Sequence, residues 1–128
     1  MRFEGEFRVI LEALDFEETV AFYRDMLGFE QVDAWDRPEG KGVLLRAGGG
    51  TIEVVDRLPR LPDRGGAPVA RDARLAIQVD DVDAAHRKLA EAKVRILRGL
   101  ASQPSGHRTL TFLGPDGLPI SLFSVKEK

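Results

Sequence analysis

Arginine, glutamate, arginine and serine at positions 8, 53, 74 and 121 occupy matched places in a sequence that is written twice. The interval from Arg8 to Arg74 (74 − 8 = 66) is also the interval from Asp15 to Asp81 (81 − 15 = 66), and Glu53 lies opposite Ser121 at nearly the same offset (121 − 53 = 68). Period-two alternation sets each of the four on the polar face of an apolar stretch. Arg8, Ile10 and Glu12 share one face of a strand predicted over 6–13, and Glu53 and Val55 share one face of 51–56. The second half offers Arg74, Ala76 and Gln78, then Ser121 and Phe123. The opposite faces, Val9, Leu11, Ile52, Val54, Leu75, Ile77, Val79, Ile120 and Leu122, are apolar and pack inward. A slip of one residue would expose that whole set, so the alternation fixes the register. A guanidinium in mid-strand needs a partner, because a buried unpaired charge is very costly. Glu53 supplies one. Two outcomes stay open: an Arg8–Glu53–Arg74 cluster that is an internal cross-link, or a guanidinium left to hold a carboxylate, phosphate or enolate-like oxygen bidentately.

Other candidates are few. His107 opens a predicted strand after Gly106, where an imidazole either touches a ligand and titrates near neutrality or is a plain rim residue. His86 lies mid-helix beside Arg87 and Lys88 and reads as a solvated helix residue. Trp35, the single tryptophan, either stacks on a planar ligand or packs at a subunit contact. With no cysteine, the chain has no disulfide, no thiolate nucleophile and no thiolate metal site. No H-E-x-x-H, phosphate loop or Ser–His–Asp arrangement occurs, and "AGGGT" at 47–51 has no following lysine or helix and reads as a strand turn.

The elements that position these residues follow from local signals. Asp15 with Glu18 three residues later is an acidic capping box that opens a helix over about 16–27, with Phe16, Val20, Tyr23 and Leu27 at helical spacing and Gly28 as a left-handed C′ residue. Asp81 opens a second helix over about 82–92. Strands are predicted at 6–13, 29–36, 42–47, 51–56, 74–80, 94–99, 107–113 and 119–124, with "GPDG" at 114–117 as a turn. The fold class is α+β: two βαβββ repeats in tandem, forming curved mixed, mostly antiparallel sheets around a groove. The chain reads as a single domain over 1–128, with repeat units at about 5–56 and 74–125. The proline-bearing stretch 57–73 between them is a linker or a flap over the groove.

Composition narrows the class. The chain has 128 residues, 43% hydrophobic and 31% charged, which suits one soluble domain. A net charge of −2 gives no pull toward nucleic acid or anionic membrane. No apolar run reaches the length of a membrane span and no leader is evident, so a cytoplasmic protein is expected.

The segments "FYRDMLGFE" at 22–30, "LAIQVDDVDAA" at 75–85 and "GHRTLTFLGPDG" at 106–117 resemble the vicinal oxygen chelate superfamily, which holds glyoxalase I, extradiol dioxygenases and bleomycin-resistance proteins. The resemblance covers almost the whole chain. It implies four groove-facing strand positions that hold metal ligands in the metal-using members, and here these are Arg8, Glu53, Arg74 and Ser121. Arginine offers donors only and cannot coordinate a cation. The expectation is therefore a protein with no metal and no cofactor that holds a small anionic or aromatic molecule, with Arg8, Glu53, Arg74, Ser121, Gln78, Phe123, Trp35 and His107 as ligand-binding residues. The resemblance further implies a homodimer. Two alternatives remain: a glyoxalase-like lyase, isomerase or ring-cleaving dioxygenase with an altered metal site, and a structural or regulatory module whose groove is filled by its own side chains.

Overall fold

The computed structural model describes residues 1–57 and 74–125. Among the described residues, eight strands and two helices form two units of the same order. In the first unit, β1 (Arg8–Glu12) leads to a helix, α1 (Phe16–Val20, continued by Ala21–Met26), and then to β2 (Glu30–Arg37), β3 (Gly40–Ala47) and β4 (Gly50–Arg57). The second unit repeats this with β5 (Leu75–Gln78), α2 (Val82–Glu91), β6 (Ile96–Ser102), β7 (His107–Leu113) and β8 (Pro119–Val125). Each sheet runs first strand, last strand, third, second: β1-β4-β3-β2 and β5-β8-β7-β6. The first and last strands of each unit pair in parallel, across the crossover helix, and all other pairs are antiparallel. The predicted pair of mixed, mostly antiparallel βαβββ units is the observed architecture.

The register carries the doubling down to single residues. Ile10 pairs with Glu53 in the first sheet, and Ala76 pairs with Ser121 in the second. The neighbours of Glu53 and Ser121 on the third strands are Leu44 and Thr111. Of the expected inward set, Ile52, Val54, Ile120 and Leu122 are buried and Val9, Leu11, Leu75, Ile77 and Val79 are half-buried, with Leu45, Leu110 and Phe112 buried beside them. α1 packs on β4, and α2 packs on β6, β7 and β8.

Both helices start as their sequences require. The Asp15 side chain accepts from the Glu18 backbone N–H at 3.1 Å, and the Asp81 side chain accepts from the Ala84 N–H at 3.0 Å. A strand residue adds to the second cap, since Ser124 Oγ accepts from the Val82 N–H at 2.8 Å. α1 departs from the expected regular helix. Only Phe16–Val20 is α-helical, and Ala21–Met26 is a π-helix in which the Leu27 N–H reaches the Phe22 carbonyl at 2.9 Å. The wider turn accommodates two adjacent bulky rings, Phe22 and buried Tyr23, which meet edge-on at 5.1 Å. Gly28 follows with φ 86°, as a C′ residue should.

Other boundaries move slightly. β6 runs over 96–102 rather than 94–99, and Arg57 ends β4 instead of opening the linker. The expected linker or flap over 58–73 lies outside the described residues. Among the described residues, no helix is long and apolar enough to cross a membrane.

Candidate functional site

The polar face of the first sheet is built in rows across the strands. One row runs Arg8, Thr51, Arg46 and Glu30, the next Ile10, Glu53, Leu44 and Asp33, and the third Glu12, Val55, Gly42 and Trp35. Arg8 and Glu53 thus share a face, as the alternation predicts, and Trp35 lies on it too. Glu53 is buried, 5% exposed, and its Oε1 accepts from Arg8 Nη1 at 2.6 Å. The other terminal nitrogen of Arg8 donates to Glu6 Oε1, and Thr51 Oγ1 donates to Glu6 Oε2 at 3.2 Å. The Glu53 hydrogen bond first, and the Glu6 one second, raise the Arg8 pKa above its already high ordinary value. The guanidinium therefore bridges two carboxylates of its own unit. Glu6 was not among the sequence candidates, although the strand predicted over 6–13 would set it on the face of Arg8; in the structure it precedes β1, which begins at Arg8.

Arg46 is engaged in the same way, with Nη1 3.2 Å from Glu30 Oε1. Trp35 is half-buried on β2, with its ring so close to Gly42 that a Cβ there would overlap the six-membered ring. Only glycine at position 42 allows the indole to lie against the sheet.

The second sheet carries a different chemistry on the corresponding face. Gln78, Phe123, Thr109 and Ala101 form one row, and Ala76, Ser121, Thr111 and Arg98 the next. Ser121 and Thr111 are both buried, and their hydroxyls share a hydrogen bond of 2.7 Å. His107 stacks on Phe123 with ring centroids 5.0 Å apart and planes 18° from parallel. Gln78 is exposed on β5, and Arg74, exposed just before β5, continues the alternation of Ala76 and Gln78. His86 is half-buried on α2 rather than fully solvated, and it is not a strand-face residue.

Thr109, Thr111 and Arg98 were missed by the sequence reading. The alternation of "HRTLTFL" does set His107, Thr109 and Thr111 on one face, so that signal existed. Arg98 was hidden by irregularities in β6 on either side of it, which break the period. On the helix-facing side, Arg108 Nε and Nη2 grip the Asp83 carboxylate at 3.0 Å each, and that hydrogen bonding holds the Asp83 carboxyl below its usual pKa.

The four positions that match metal ligands in the metal-using members do not fit a metal here. Arg8 is a cation already seated on Glu53, with donors only, and a metal there would meet like-charge repulsion. The Ser121 hydroxyl is satisfied by Thr111. Among the described residues, no three His, Asp or Glu side chains form a cluster suited to a metal ion. The arrangement can pair charges, donate hydrogen bonds and stack rings.

Comparison with known proteins agrees with this architecture. The chain is 35% identical over 120 residues to the uncharacterized protein YaeR of Escherichia coli (strain K12), covering 90% of this chain and 92% of YaeR. It is 31% identical over 118 residues to the uncharacterized protein YwkD of Bacillus subtilis (strain 168), covering 85% and 88%. Among solved structures it is similar to TnmS3, an antibiotic binding protein from Streptomyces sp. CB03234, with a TM-score of 0.75, 25% identity, and 98% and 99% of the two chains covered. The family model of the Glyoxalase/Bleomycin resistance protein/Dioxygenase superfamily matches residues 9–122. With its doubled βαβββ units and this match over most of its length, the chain belongs to that superfamily.

Proposed function

We propose that this protein binds and holds a small anionic or aromatic molecule without a resident metal, as a homodimer, and does not turn it over. The observation that carries the reading is the Arg8–Glu53 pair at 2.6 Å. It puts the guanidinium of the chain's own Arg8 on the carboxylate that would otherwise be the best metal ligand of the four positions. Polar and aromatic side chains on both sheet faces, with Gln78, His107, Phe123 and Ser121 in the second and Trp35 in the first, supply recognition groups of the kind small-molecule sites use. The similarity to an antibiotic binding protein supports binding over catalysis.

The test is metal content together with metal dependence. Protein purified after growth with Zn²⁺, Ni²⁺, Mn²⁺ and Fe²⁺ should hold no stoichiometric metal by elemental analysis, and a chelator should leave its melting temperature unchanged. A stoichiometric metal whose removal lowers the melting temperature would overturn the reading in favour of an enzyme with an altered metal centre.

A further inference from the structure

The two sheet faces differ in charge, in a way that the matched positions Arg8 and Arg74 conceal. On the first face Arg8 is paired with Glu53 and Glu6 and Arg46 with Glu30, while Arg37, exposed at the end of β2, has no such partner among the described residues. Asp33 and Glu12 add further negative charge there. On the second face, the strand residues Ala76, Gln78, Ser121, Phe123, His107, Thr109, Thr111 and Arg98 include no carboxylate. Asp80 follows β5 at the end away from Arg74. Among the described residues of the second unit, no hydrogen bond or ion pair engages the side chain of Arg74 or of Arg98, and both residues are exposed. Guanidiniums flank this face, and among the described residues neither has an acceptor for its side chain.

The same face carries the His107–Phe123 stack, half-buried and planar. Arg74 lies four residues from Gln78, roughly 13 Å along the strand at about 3.3 Å per residue, and Gln78 is beside Phe123. An extended arginine side chain closes much of that distance. The spacing suits a molecule in which a planar ring and an oxyanion are separated by a short linker.

We infer that the second sheet receives the ligand's anionic group on Arg74 and Arg98 and its planar part on the His107–Phe123 stack, and that Arg8 is a structural cation that takes no part in holding the anion. This rests on the binding reading above and deepens it to a chemical class, an aromatic or conjugated oxyanion. Arg8 would have to leave two carboxylates to accept an external anion, whereas Arg74 and Arg98 have no carboxylate to leave among the described residues.

The experiment titrates trans-cinnamate, with neutral cinnamamide as the control, into ¹⁵N-labelled protein and maps the shifted backbone resonances. Cinnamate should bind saturably and more tightly than cinnamamide, with shifts centred on β5, β7 and β8. Arg74→Gln should weaken it about tenfold, the loss of one charge-assisted hydrogen-bonding partner. Arg74→Gln with Arg98→Gln should reduce it to the cinnamamide level, and Arg8→Gln should leave the affinity unchanged. If Arg8→Gln does not fold, the wild-type map decides. Shifts centred on β1 and β4, loss of binding in Arg8→Gln, or equal affinity for cinnamate and cinnamamide would overturn the assignment while leaving the binding reading intact. No saturable response to either probe would overturn both.

Discussion

Arg8 and Arg108 show how an arginine can be spent inside a domain. Each grips carboxylates with two nitrogens, Arg8 on Glu53 and Glu6 and Arg108 on Asp83. Fork geometry of this kind fixes direction as well as charge. Hydrogen bonds from Arg108 are the main cause that holds the Asp83 carboxyl below its ordinary pKa. A carboxylate whose pKa is depressed by folding stabilises the fold at all pH values above its ordinary pKa. That stability is lost as the pH falls through the lower folded value. Asp83→Asn should therefore unfold at lower denaturant concentration than the parent at neutral pH, and the two should converge as the pH drops below about 3.8. Denaturant midpoints from pH 7 downward check this, and a gap that persists in acid would contradict it. At this scale the sequence was partly legible. The Arg8–Glu53 pair could be read from alternation and the repeat; alternation also gave the faces of Glu6 and Thr111, but not their pairing with Arg8 and Ser121, which depends on which side chains meet in space.

Helix ends show the limits of local signals more sharply. Both helices open on aspartate caps that could be read from sequence, because a cap and its target are three residues apart. Both also end with a residue in the left-handed region, Gly28 at φ 86° and Lys93 at φ 58°. Only the first could be read, since glycine announces that conformation and lysine does not. Lys93 bears the steric cost of a Cβ against the backbone, about 1–2 kcal/mol for an L-residue. Lys93→Gly should stabilise the protein by roughly 0.5–1 kcal/mol, after glycine's larger loss of chain entropy is subtracted. Equilibrium denaturation of the two forms measures this, and a destabilised variant would refute it. The π-helix of α1 and the irregularities of β6 had no sequence signal of this kind. Each replaces a regular period with packing needs, at Phe22 and Tyr23 in one case and around Arg98 in the other.

Across the whole chain, the architecture was the most legible feature. Two copies of one pattern constrain each other, and a fold that satisfies both has few alternatives. Face assignment followed from alternation, so the sequence already placed Glu53 and Ser121 at equivalent points. The divergence in charge between the copies was harder to see, because it depends on which arginines have internal partners. That is settled by three-dimensional neighbours such as Glu6 and Glu30. The repeat thus conserves a scaffold while its two faces have taken different chemistry.

The indole lying over Gly42 gives this protein a built-in optical reporter. All tryptophan emission of the 128-residue chain comes from Trp35, so its colour records one thing, whether that ring lies against the first sheet. Gly42→Ala puts a methyl group where the ring lies and should push it toward water. The emission maximum should then move to longer wavelength while the far-ultraviolet circular dichroism stays that of the parent. An unchanged maximum would mean that the ring does not rest on Gly42 in solution. With that seat calibrated, a shift of the native emission during a titration or a melt can be traced, with no added label, to a single position on the Glu53-bearing face.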